Sequence, residues 1–82
     1  MKKLTKAEIA VKVDKLDDDK IDKYAKILKI NVSSLSKAQI KQAVTDAVDA
    51  GLQSGMVVQH NENTFIPMEG QEFVFYNQIV FG

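Results

Sequence analysis

The segment Phe73-Val-Phe-Tyr-Asn-Gln-Ile-Val-Phe81 carries no charge over nine residues, holds three of the four phenylalanines and places apolar side chains at odd and even positions alike. A stretch of this β-propensity must be covered, because an uncharged strand left on an open sheet edge pairs with whatever strand it meets. Two covers exist. Either the segment lies across the rest of its own chain as the sheet side of the core, or a second chain completes it by strand addition or side-chain docking. Phe73, Phe75, Tyr76, Ile79, Val80 and Phe81 are therefore the candidate partner or oligomer interface. The 82 residues leave room for one core, and a domain of this size buries only about 60–65% of its unfolded surface, so a partner surface would add to its stability.

What precedes the tail reads as three short helices. Thr5-Lys-Ala-Glu8 is a capping box, flanked by Leu4 and Ile9 as its hydrophobic staple. Ile9, Val13 and Leu16 then recur at helical spacing, which takes the first helix to about Leu16. Asp17, Asp18 and Asp19 supply the cap and the first-turn charge of a second helix. Its Ile21, Tyr24, Ala25 and Leu28 make the clearest amphipathic stripe, widened by Ile27 and Ile30. The first start signal then repeats, since Leu35-Ser-Lys-Ala-Gln-Ile40 parallels Leu4-Thr-Lys-Ala-Glu-Ile9. Ile40, Val44, Ala47 and Val48 form the third stripe, and Gly51 is placed to cap the helix end with Leu52 folding back on it.

From Met56 the period changes. Met56 to His60 and Thr64 to Met68 flank Asn61-Glu-Asn63, where asparagine tolerates the turn conformations of a hairpin. Pro67 lacks an amide donor and belongs near a strand end or on an edge. The predicted architecture is α+β: a three-helix N-terminal bundle followed by a small antiparallel β-hairpin or sheet with a C-terminal strand. Residues 1–82 form a single domain, with 1–51 helical and 52–82 β-rich.

Charge is divided along the chain although the formal net charge is zero. All eleven lysines and six acids fall in residues 1–41, a net +5, whereas residues 42–82 carry five acids and no lysine, a net −5. Such a separation steers charged partners or lets copies pack head to tail. The third helix shows the same division against its own dipole, with Lys37 and Lys41 in its first turns and Asp46 and Asp49 toward its end, at about 0.3–1 kcal/mol per charge. A lysine-bearing helix start with serines beside it resembles an anion cradle, which makes Ser34, Ser36, Lys37 and Lys41 the candidate anion or nucleic-acid contacts.

Signs of catalysis are missing from the sequence. There is no cysteine, which excludes disulfides, thiolate zinc sites and cysteine nucleophiles. The one histidine, His60, stands beside a predicted turn, and the aspartate triplet lacks the glycine and distal glutamate of a calcium loop. No glycine-rich phosphate loop occurs. The expectation is a protein that is not an enzyme, has no cofactor and no metal, and takes no small-molecule substrate. Lys6, Glu8 and Lys12 interrupt the place of a signal peptide's apolar stretch, and no run approaches a membrane span. A cytoplasmic or virion-associated protein with no membrane contact is expected.

Residues 21–44 resemble the helix-extension-helix modules of the SAP, LEM and Rho N-terminal type, in which a helix ends in a short aliphatic turn, here at Ile30, and a second opens on a lysine-bearing cap, here Ser36-Lys37. Lys29 stands where those modules often carry glycine. The overall order is similar to a winged helix, with Ala43 to Leu52 in the place of a recognition helix. Both resemblances imply nucleic-acid contact. Against them stand the absence of arginine, the residue suited to bidentate base and phosphate recognition, and a near-neutral pI of about 6.6, where such domains are basic. Size, charge division and the aromatic tail favour a non-catalytic structural, assembly or protein-interaction module, such as an accessory component of a viral particle or other multimer. Its partner is then a protein or a second copy; nucleic acid is the alternative.

Overall fold

The computed structural model describes residues 1–68 and 77–82. Three helices, α1 (Lys6–Asp14), α2 (Asp18–Ile27) and α3 (Lys37–Ser54), precede three strands, β1 (Val57–Asn61), β2 (Thr64–Pro67) and β3 (Ile79–Val80). The strands form one antiparallel sheet in the order β1-β2-β3. This is the α+β architecture that the helical and strand periods predict.

Local chemistry sets the helix starts. Both capping boxes form: the Thr5 hydroxyl accepts from the Glu8 amide at 3.2 Å while Thr5 N–H donates to the Glu8 carboxylate at 3.0 Å, and Ser36 and Gln39 repeat the exchange at 3.2 and 2.8 Å. Asp17 caps α2 by accepting from the Lys20 amide at 2.9 Å. Each satisfies donors that a helix start leaves without an intrahelical partner. The first helix ends at Asp14, with Lys15 as its C-cap, two residues before the stripe runs out at Leu16. Leu16 is nonetheless buried in the core.

α2 closes on a Schellman motif. Ile30 N–H reaches the Ala25 carbonyl at 2.9 Å and Lys29 N–H the Lys26 carbonyl at 3.0 Å, which requires a left-handed residue between them. That residue is Lys29, with φ 61°, at the position where the helix-extension-helix modules often carry glycine.

The end of α3 corrects the sequence reading. The helix does not stop at Gly51; it continues to Ser54 and is capped by Gly55 at φ 82°. Gly51 serves a packing purpose, because a Cβ built there would stand 2.3 Å from Val57 Cγ2 and 2.9 Å from Val57 Cβ. A glycine in a helix interior and a glycine just past its end look alike in sequence, and the close approach of β1 decided which was which. The helical part therefore extends past residue 51.

α3 packs on α1, α2 and β1. The predicted stripes meet there: Ile9, Val13 and Leu16 from α1, Ile21, Tyr24 and Ala25 from α2, and Ile40, Val44 and Val48 from α3, closed on the sheet side by Val57, Phe65, Ile79 and Phe81. The Phe65 and Phe81 rings sit 5.2 Å apart at 57°, a tilted arrangement that aromatic quadrupoles favour. Pro67 ends β2, as its missing donor requires. Of the predicted final strand, 73–81, residues 77–81 are described, and of these Ile79–Val80 form β3; 73–76 lie outside the described residues.

The two glycines separate by experiment. Gly51→Ala is expected to cost about 1–3 kcal/mol through overpacking, and Gly55→Ala about 1–2 kcal/mol through its left-handed backbone, both read from urea midpoints. A Gly51→Ala protein as stable as the parent would contradict the close helix–strand packing.

Candidate functional site

The tail is where sequence reasoning placed an interface, and its described residues divide. Ile79 and Phe81 are fully buried in the molecule's own core. For these two the interface assignment is corrected: the helices and β2 cover them, so a partner cannot reach them in this fold. Val80, between them, points the other way and is partly exposed. Phe73, Phe75 and Tyr76, also named as interface candidates, lie outside the described residues.

A phenol holds this strand down. Tyr24, on α2, donates its hydroxyl to the Val80 carbonyl at 2.9 Å and accepts from the Val80 N–H at 3.2 Å. Phe81 N–H donates to the Asn63 carbonyl at 2.7 Å, so Ile79 and Phe81 turn their backbones toward β2 and Val80 turns away from it. The Tyr24 hydroxyl thus takes the place of a neighbouring strand at Val80 and closes that edge.

The opposite face of the sheet is different. Register sets Val58 opposite Ile66, and the adjacent Met68 N–H donates to the Met56 carbonyl at 2.7 Å. With period-2 alternation, Met56, Val58, Ile66, Met68 and Val80 share the face away from the helices. Met56, Val58, Met68 and Val80 stand 42%, 47%, 39% and 37% exposed, whereas Ile66 and Thr64 on the same face are buried. A sheet with one face on the core ordinarily alternates to polar side chains outside. This face was not singled out from sequence, because Met56-Val-Val is apolar in both phases and its outward members cannot be told from its inward ones.

The predicted anion cradle at the start of α3 has its groups engaged. Lys37 pairs with Asp18 at 2.7 Å, and Lys41 reaches both the Asp14 carboxylate at 3.3 Å and the Asp14 carbonyl at 3.2 Å. The Ser36 hydroxyl is the helix cap; Ser34 is exposed beside it. Lys6 pairs with Asp46 at 2.9 Å. The start of α1 therefore lies beside the later part of α3, and the end of α1 beside the start of α3, so the two helices run antiparallel. Charges that oppose their own helix's dipole complement the neighbour's: Lys41 sits at the negative end of α1. The Lys37 ammonium holds the Asp18 carboxyl below its ordinary pKa, and Lys6, with Gln42, does the same for Asp46. Exposed pairs of this kind add little to stability, because water and salt screen them.

Among the described residues no group of three or more His, Cys, Asp or Glu is arranged to hold a metal ion, and no helix is long and apolar enough to cross a membrane. No family model, curated protein or solved structure matches the chain.

Two measurements check this geometry. Tyr24→Phe removes both bonds to Val80 and is expected to cost about 1–3 kcal/mol, because it leaves a part-buried peptide group without its partner. Glu8 accepts from the Lys2 ammonium at 2.6 Å and from Thr5 N–H, which lowers its pKa from 4.5 to about 2. A carboxyl depressed in the fold stabilises above its unfolded value and loses that contribution as pH falls through its folded value. The Glu8 carboxyl should thus titrate near 2 by NMR, and Lys2→Ala should move it back toward 4.5.

Proposed function

We propose that this chain is a non-catalytic protein-interaction or assembly module whose contact surface is the outer face of its sheet. The observation that carries the reading is the row of exposed Met56, Val58, Met68 and Val80 on a single face. Exposed apolar side chains gathered on one face mark interaction sites, and methionine suits such a surface because its unbranched thioether adapts to a partner's shape. Of the two covers open to the apolar tail, its described residues take the inner one: Ile79 and Phe81 anchor the sheet from inside, and Val80 joins the outer surface.

The nucleic-acid alternative rests on Lys37 and Lys41, and those ammonium groups are already paired with Asp18 and Asp14. Binding a phosphate there would break two ion pairs to form new ones. The reading therefore favours a protein surface, and self-association is its first case.

Light scattering across the micromolar to millimolar range tests it. The expected result is a mass that rises above the 9.1 kDa of one chain and that stays at one chain when Val58 and Met68 become lysine, with unchanged circular dichroism. A mass of one chain throughout would remove self-association. Salt-sensitive DNA binding that weakens when Lys37 and Lys41 become alanine would replace the reading with the nucleic-acid one.

A further inference from the structure

Resting on the protein-interaction reading, we infer that the pocket at the corner between α1 and α2 takes one acidic side chain of the partner protein, held by Lys12, Lys15 and Lys20. The chain builds this corner from local parts. Lys12 lies in the last turn of α1, Lys15 is its C-cap, and Asp17 caps the start of α2 by accepting from the Lys20 amide. The Lys15 and Leu16 N–H groups donate to the Lys12 and Val13 carbonyls at 3.2 and 3.1 Å, and buried Leu16 pins the turn to the core. The three lysines are thereby set around a cavity of about 380 Å³, which Leu16, Asp17, Phe81 and Gly82 also line.

Lys12 is half-buried, and its ammonium donates to Asn63 Oδ1 at 2.7 Å. An amide oxygen orients an ammonium group without cancelling its charge. Lys2, Lys6, Lys37 and Lys41 differ, because each meets a carboxylate of its own molecule. Around the cavity, three ammonium groups stand against the Asp17 carboxylate and a terminal carboxylate at Gly82, which leaves the lining at +1. A single carboxylate neutralises that sum. A phosphomonoester, at about −1.5 to −2, overshoots it. Nucleic acid is held by basic residues that neutralise a succession of phosphates, which one concave corner at +1 does not provide.

The pocket adjoins the outer face of the sheet. Val80, exposed on that face, is followed directly by Phe81 and Gly82 of the lining, and Asn63, which holds Lys12, precedes Thr64 of the same face. A partner lying over Val80 is thus placed to reach the lysines. Apolar contact on the sheet supplies its affinity, while a carboxylate among the ammonium groups fixes its direction and speeds its approach. The pocket's three lysines belong to the half of the chain that carries the net +5, so long-range attraction brings an acidic surface to this end of the molecule.

The test titrates the full chain with a capped peptide of alternating glutamate and leucine and follows the lysine side-chain signals by NMR. The expected result is a saturable shift at Lys12, Lys15 and Lys20 that the glutamine counterpart of the peptide does not give. It fades with added salt and weakens several-fold when Lys15 and Lys20 become glutamine. The Lys3→Gln, Lys26→Gln double variant removes as much charge elsewhere and is expected to bind as the parent does. Equal weakening in both double variants, or shifts spread over all the lysines, would overturn the pocket and leave surface charge alone. A single-stranded oligonucleotide that displaces the peptide at lower concentration would overturn the choice of a protein acid. No shift at all, in protein that still associates through Val58 and Met68, would overturn this inference and leave the interaction-module reading standing. Saturable binding by a chain whose mass never rises would uphold the pocket while removing self-association.

Discussion

The Tyr24 hydroxyl bound to both polar groups of Val80 is the contact on which the arrangement of this molecule depends. A two-residue strand has little ladder of its own, and β3 is held by a phenol on one side and β2 on the other. With Val80 fixed, Ile79 and Phe81 are committed to the interior, where Phe81 stacks against Phe65 and both close the core that the helices leave open. Ile79 and Phe81 thereby become part of the floor of the fold.

Fixing the tail this way determines where binding surface remains. The helix-facing side of the sheet is consumed by the core, and one edge is consumed by Tyr24. Among the described residues, Met56, Val58, Met68 and Val80 stay exposed on the outer face. Polar groups follow the same economy. The Lys–Asp pairs use lysines that oppose their own helix's dipole, Lys6 at the start of α1 and Lys37 and Lys41 at the start of α3, and join them to acids of the neighbouring helix. Such charges look like a ligand site when a helix is read alone and become packing partners once the neighbouring helix is in place.

Among the described residues, left-handed backbone occurs at two helix ends and at Gly82. Gly55 takes its left-handed conformation at no steric cost, while Lys29 takes the same region with a side chain attached, the less favourable choice. The Schellman bonds to the Ala25 and Lys26 carbonyls offset it by satisfying acceptors at the end of α2.

Local chemistry was legible in the residues themselves. The capping boxes at Thr5 and Ser36, the Asp17 cap, the apolar stripes of all three helices and the hairpin around Asn61 to Asn63 all rest on interactions within a few positions, and the sequence determined them. Gly51 was misread because the reason for a glycine there is Val57, which belongs to a different element. The candidate sites were legible only as composition: an apolar tail and a lysine-rich helix start. Tertiary structure decided that Ile79 and Phe81 face inward, that Lys37 and Lys41 meet Asp18 and Asp14, and that Val57 closes on Gly51. Each of those outcomes joins residues far apart in the chain, and pairing, register and burial at such separations are set by how whole elements pack, which no local pattern encodes.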